Sequence, residues 1–251
     1  MIAVRGTSVG IPTPDGTADA YLVRPDDTGT HPAVLVYMDA LGLRPHLRKM
    51  ADRLASAGYT VLVPNVFYRH GPAPVFDLPD FIDPTQRPEI FQQIMPVVQS
   101  LTTELAMRDA EAYLRWLADS PTTTDAPVGI TGYCMGAGLA LRTAACYPDR
   151  VAAAAGFHGA HLATTASDSP HLLAHRIKAE LYFAHADQDQ TLPPEQIERL
   201  EKALTEAGVR HVCEVYTGAH HGYTQADTAA YDPDATARHW SALLDLFGRT
   251  L

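Results

Sequence analysis

The sequence predicts an α/β protein built on a mostly parallel central sheet, with helices on both faces and an antiparallel hairpin at the N-terminus. Three observations carry this. Strand-length apolar runs alternate with helical-period stretches from residue 32 onward. The turn Thr13-Pro14-Asp15-Gly16 separates two short extended segments within residues 1–25. Finally, Gly132-Tyr133-Cys134-Met135-Gly136 joins a β-favouring run, Ala126 to Thr131, to a small-residue helical run, Ala137 to Ala145.

Ala18 to Arg24 alternates well enough for a half-exposed strand, the second of the hairpin. Pro32 to Met38 is continuously apolar, as a strand covered on both faces must be. Leu47, Met50, Leu54 and Ala57 recur at helical spacing, and Gly58 supplies the cap before a strand from Thr60 to Val63. Between Gly71 and Thr103 the chain turns to Pro, Asp and isolated aromatics. This reads as a long connection, a loop or cap segment around 70–103, with one short helix near Ile90 to Val98. Glu104 to Ala118 is helical. After the turn at Gly132–Gly136 and its helix, strands at Val151–Phe157, Ala179–Ala184 and Val212–Tyr216 alternate with a helix from Pro194 to Ala207. The last helix takes Asp232 as its N-cap, Pro233 in its first turn, and Trp240, Leu243, Leu244 and Phe247 as its buried face.

The 251 residues, 46% of them hydrophobic, are enough for one substantial core, and a single domain over 1–251 is expected. A net charge of -10, from 19 basic and 29 acidic residues without a basic run, argues against nucleic acid or an anionic membrane as partner. No signal-like or membrane-length apolar run is present, so a soluble cytoplasmic protein is expected, monomer or homodimer. Three widely spaced cysteines, Cys134, Cys146 and Cys213, make no C-x-x-C pair, which points to a reduced compartment. Cys146 and Cys213 are expected to be buried and inert, and Cys134 to be the exposed thiol.

In a parallel sheet, functional groups collect at the carboxyl ends of the strands. Asp39, Arg69, Cys134, His158, Asp187 or Asp189, and His220 or His221 each follow a predicted strand. The glycines two before and two after Cys134 fit a strained turn that lifts a nucleophile above the sheet at a helix N-terminus, where the dipole favours a thiolate. Such a nucleophile needs a base and a group to orient it. The stretch His185 to Pro193 offers the acid, and Thr217 to Tyr223 offers the histidine. The backbone N–H of Met135, at the helix start, can hold the oxyanion. A metal-dependent hydrolase using His185, Asp187, Asp189, His220 and His221 is the rival enzyme, although adjacent histidines rarely face one ion. A non-catalytic small-molecule binding protein is the rival of another class.

The sequence resembles the dienelactone hydrolase family of α/β-hydrolases. The matching stretches are Asp39-Ala40-Leu41-Gly42, Gly58-Tyr59, Pro64 to Arg69, Gly132 to Gly136, Asp189 to Pro193, and Gly218 to Tyr223. The resemblance implies the α/β-hydrolase fold and a Cys-Asp-His triad. Its patterns select Asp189, three residues before Leu192-Pro193, and His221, before a small residue and an aromatic. It further implies a second oxyanion donor at Ala40 and an acidic residue, Asp39, beside the resting thiol. Arg69 would hold a substrate carboxylate, and Tyr133 and Tyr223 complete the expected substrate-binding set. Gln225 stands where the family's second carboxylate-binding arginine would be. The implied activity is hydrolysis of a small ester or lactone through an acyl-Cys134, without cofactor or metal. A general carboxylesterase or thioesterase, or an acyl-enzyme cyclase, are the alternatives on the same site.

Overall fold

A computed structural model describes residues 2–83 and 85–251. Among the described residues it contains eight strands. The chain divides into two compact units, Met1–Ala126 with Asp227–Ala229, and Pro127–Ala226 with Ala230–Leu251.

In the first unit, β1 (Val4–Thr13) and β2 (Gly16–Pro25) form the predicted antiparallel hairpin, closed by the Thr13–Gly16 pair. Gly16 takes φ 138°, a conformation open to a residue without a Cβ. β2 also pairs antiparallel with β4 (Thr60–Pro64), which pairs parallel with β3 (Ala33–Tyr37). Every residue of β3 and β4 is buried, which is why β3 reads as an unbroken apolar run. α1 (Pro45–Ser56) buries Leu47, Met50 and Leu54 as its period predicts.

The connection after Gly71 departs from expectation. α2 runs from Arg87 to Ser100, five residues longer than the predicted segment, with Pro96 inside it and only Ile94 buried. A helix that buries one side chain leaves no apolar stripe for a periodicity argument to find. A three-residue 3-10 turn, Tyr68–His70, follows β4. α3 (Thr103–Ala118) is capped by Thr102, whose hydroxyl accepts the Leu105 N–H at 3.3 Å.

The second unit is a four-stranded parallel run, β5 (Val128–Tyr133), β6 (Val151–Phe157), β7 (Glu180–Gln188) and β8 (His211–His220). The alanines of β6 and Gly156 reflect close packing: a Cβ on Gly156 would lie 2.3 Å from the Phe183 ring. α4 (Met135–Cys146) follows β5, α5 (Pro194–Glu206) follows β7, and a 3-10 stretch, Pro170–Arg176, lies between β6 and β7. α6 (Pro233–Thr250) starts as predicted, with the Asp232 carboxylate accepting the N–H groups of Asp234 and Ala235 at 2.9 and 3.0 Å. Its buried face contains Leu246 where Leu244 was expected; Leu244 is half-buried. Among the described residues, no helix is long and apolar enough to cross a membrane.

β7 and β8 both run several residues past their predicted ends. Cys134, His158, Asp189 and His221 are consequently the first residues beyond β5, β6, β7 and β8. Four neighbouring parallel strands thus deliver their reactive side chains at the same sheet edge.

Candidate active site

Cys134 links β5 to α4 with φ 54° and ψ -119°, a conformation that side-chain-bearing residues rarely adopt. The turn is held by its N–H bond to the Phe157 carbonyl (3.1 Å) and by the Ala137 N–H bond to the Cys134 carbonyl (3.1 Å). Gly132 makes the turn possible: a Cβ there would sit 2.0 Å from the Gly136 carbonyl oxygen. The sulfur-bearing residue is buried, whereas Cys146 and Cys213 are half-buried. That reverses the expected order of exposure, because an elbow presents its side chain to a site enclosed by other residues rather than to bulk water.

His221 Nδ1 lies 2.6 Å from Asp189 Oδ2. The other carboxylate oxygen of Asp189 accepts both the Thr191 N–H (2.8 Å) and the Thr191 hydroxyl (2.6 Å), fixing the carboxylate plane toward the imidazole. Cys134 is the other group that acts on the His221 ring. With Nδ1 given to Asp189, Nε2 is the nitrogen left for the sulfur. Burial works to discharge this imidazole, but the Cys134 charge and the hydrogen bonds to Asp189 and Cys134 outweigh it and raise its pKa to about 10. Burial likewise opposes ionisation of Asp189, yet the bonds from His221 and Thr191 hold its carboxyl below the usual value.

The neighbouring candidates have other occupations. Asp187 lies at the exposed end of β7 and accepts the Gly218 N–H at 3.0 Å, so it ties the ends of β7 and β8 together. His220 ends β8, exposed. His158, at φ 39° and fully buried, bonds Thr224 Oγ1 through Nε2 (2.8 Å). Its ring packs edge-on against His221, with centroids 5.4 Å apart, and against Tyr223 at 4.9 Å. It therefore braces the His221 ring, a role that strand-end position alone could not distinguish from catalysis. Tyr133 and Tyr223, expected to bind substrate, are instead core residues. Tyr133 shares a 3.0 Å hydrogen bond with His239 Nε2 and stacks on Phe157, and the Tyr223 hydroxyl donates to the Ala184 carbonyl at 3.2 Å.

The residues of the supposed metal site are not gathered as a ligand set. His185 is buried, neither ring nitrogen makes a hydrogen bond, and burial, opposed by Asp189 and Glu201, lowers its pKa to about 4. The single metal-like grouping among the described residues is Glu201, His211 and Cys213.

In the first unit, Asp39 and Ala40 lie buried after β3. One Asp39 oxygen accepts the Leu41 N–H (2.9 Å) and an Arg44 N–H (2.7 Å). Arg44, which sequence reading passed over, is 6% exposed and also grips Asp227 at 2.5 and 3.0 Å. A lone Arg before a helical proline looks like a solvated residue; only burial marks it out.

Arg69 is committed too. It makes two bonds to Asp109 (2.7 and 3.0 Å) and two to Asp15 (3.0 and 2.7 Å), and it stacks on Tyr68. These partners come from the hairpin turn and α3. Four of its five N–H donors are thereby used, which is a structural role rather than a free carboxylate clamp. Arg69→Ala is expected to cost about 3 kcal/mol in urea unfolding, since it strands the buried Asp109 carboxylate. The ratio of activities on matched anionic and neutral esters should stay unchanged; a selective loss on the anionic ester would restore the clamp.

A profile of the dienelactone hydrolase family matches residues 18–251. The chain belongs to the dienelactone hydrolase family. Among its relatives is a carboxymethylenebutenolidase of Rhodococcus opacus, 28% identical over 243 residues that span 95% of this chain and 89% of that one. A dienelactone hydrolase from Anabaena variabilis superposes with a TM-score of 0.68 at 21% identity, over 99% of both chains. A dienelactone hydrolase-like promiscuous phosphotriesterase from metagenomic libraries superposes at 0.82 with 23% identity, again over 99% of both. These two likenesses show the α/β-hydrolase fold. As a member of the dienelactone hydrolase family, the chain is a hydrolase of that kind.

Proposed function

We propose that this hydrolase cleaves a small carboxylic ester or lactone through a thioester on Cys134, with His221 as acid and base and Asp189 as its orienting anion. The observation that supports this most is the 2.6 Å bond between His221 and Asp189 at the ends of two paired strands, together with the strained elbow that carries Cys134.

The reaction begins from the imidazolium form of His221 facing the Cys134 thiolate. Sulfur attacks the carbonyl carbon, and the new oxyanion is held by the Met135 N–H, at the N-terminus of α4. Collapse expels the alkoxide, which takes the Nε2 proton and leaves as the alcohol; in a lactone it stays tethered to the acyl group. Neutral His221 then takes a proton from water, and the resulting hydroxide attacks the thioester. Collapse of that second intermediate returns the thiolate, the imidazolium and the carboxylic acid. No step calls on a cofactor. Commitment of Arg69 to Asp15 and Asp109 favours neutral esters and lactones over substrates that need a carboxylate clamp.

Acid quench during turnover of an activated ester, followed by intact-mass and peptide analysis, should place one acyl group on the peptide containing Cys134. An acyl group on any other residue, or none under conditions where the ester is consumed, would overturn the mechanism.

A further inference from the structure

We propose that Glu201, His211 and Cys213 bind a divalent transition-metal ion, zinc by preference, which clips α5 to β8 as a structural site. His211 and Cys213 are two apart on β8 and so present their side chains on one face of the strand. Glu201 comes from α5, beside the buried Leu200 and Leu204 that seat the helix. The three ligand atoms lie within 4.8 Å of one another.

The geometry and the donor set both suit zinc. His211 Nε2 is 3.2 Å from Glu201 Oε1. Two ligand atoms each ~2.1 Å from a tetrahedral zinc stand about 3.4 Å apart, so little adjustment is needed. His211 Nδ1 donates to the Val209 carbonyl at 2.8 Å, which puts the ring proton on Nδ1 and leaves Nε2 as a lone-pair donor. That nitrogen is shielded from water and makes no hydrogen bond, despite its closeness to the carboxylate. An outer-shell hydrogen bond to one ring nitrogen and an unsatisfied second nitrogen facing an anion is the arrangement a cation completes. Glu201 is 49% exposed, giving the ion a path in, and a water can take the fourth position.

On binding, the Cys213 S–H bond breaks, a sulfur–metal bond forms and the proton leaves to solvent, so affinity should fall as pH is lowered. The eight residues from Cys213 to His221 correspond to about 26 Å of strand at ~3.3 Å per residue. Such an ion would not touch the reacting atoms. It would instead fasten the helix that follows the Asp189 loop to the strand that ends just before His221.

Cobalt(II) chloride added to the metal-stripped full chain tests this. Thiolate-to-cobalt charge-transfer absorption and the ligand-field bands of a tetrahedral ion are expected in wild type and in Cys134→Ala, and are expected to vanish in Cys213→Ala. Glu201→Gln, at an exposed position, should keep the native circular dichroism yet weaken zinc binding by more than the roughly 10- to 100-fold that loss of an outer-shell partner costs. Zinc chloride should raise the Tm of wild type and of Cys134→Ala but not of Glu201→Gln. Absence of the charge-transfer band from wild type, its persistence in Cys213→Ala, or its loss in Cys134→Ala would overturn the proposal.

Discussion

Cys134→Ala is expected to lower kcat on any ester or lactone substrate by roughly 10⁶-fold, the scale on which a covalent triad loses its nucleophile. What remains would be the contribution of binding and of the oxyanion donor. The same variant should change a second quantity that turnover does not report. Two of the influences that raise the His221 pKa to about 10 come from Cys134, its charge and its hydrogen bond. Their removal leaves burial opposed by Asp189 alone, so the imidazole should titrate at distinctly lower pH. A histidine titration by NMR in wild type and Cys134→Ala reads this directly. The sign for stability follows. A folded-state pKa above the unfolded 6.5 means that protonation stabilises the fold fully below pH 6.5 and that this contribution is lost as pH rises through about 10. Under the proposed mechanism acylation should fall over the same alkaline range, because the imidazolium that would protonate the leaving group is lost. An unmoved His221 titration in Cys134→Ala would show that sulfur and imidazole do not interact.

Asp189→Asn should lower kcat by about 10⁴-fold with little change in KM. The substitution keeps an oxygen for the Thr191 N–H and hydroxyl, so the loop should hold its shape. It turns an NH₂ toward His221 Nδ1, however, and thereby selects the tautomer that places the ring proton on the wrong nitrogen. Asp187→Asn preserves an acceptor for the Gly218 N–H and should alter kcat less than about twofold, as surface changes of this kind carry energies within ~0.5 kcal/mol. Stopped-flow acylation of both variants separates them. A greater loss at Asp187 would transfer the orienting role to that residue.

Much of this architecture was legible in the chain because the physics behind it is local. An apolar run marked β3 as a doubly covered strand, Thr13 to Gly16 marked the hairpin, and Asp232-Pro233 marked the start of α6. Gly132 and Gly136 around Cys134 announced a turn too tight for a Cβ, and the clash at Gly132 has that origin. Local patterns also brought the acid and the histidine down to two nearby choices each.

Which member of each pair meets the other was decided by strand length and register. β7 pairs with β8 as far as Gln188 and His220, so Asp189 and His221 come first past the sheet edge and meet at 2.6 Å. Hydrogen bonds between residues 32 apart leave no periodic mark on either segment. The same reason hid the work of the arginines. Arg69 follows a strand, as a substrate-binding cation would, yet Asp15 and Asp109 claim it, while Arg44, which nothing in its neighbourhood singled out, is the buried one. Residue type and spacing determined which chemistry this chain can hold. Whether a given charge is available to a ligand or spent inside the fold depends on burial and on partners distant in sequence, and tertiary structure alone decided that.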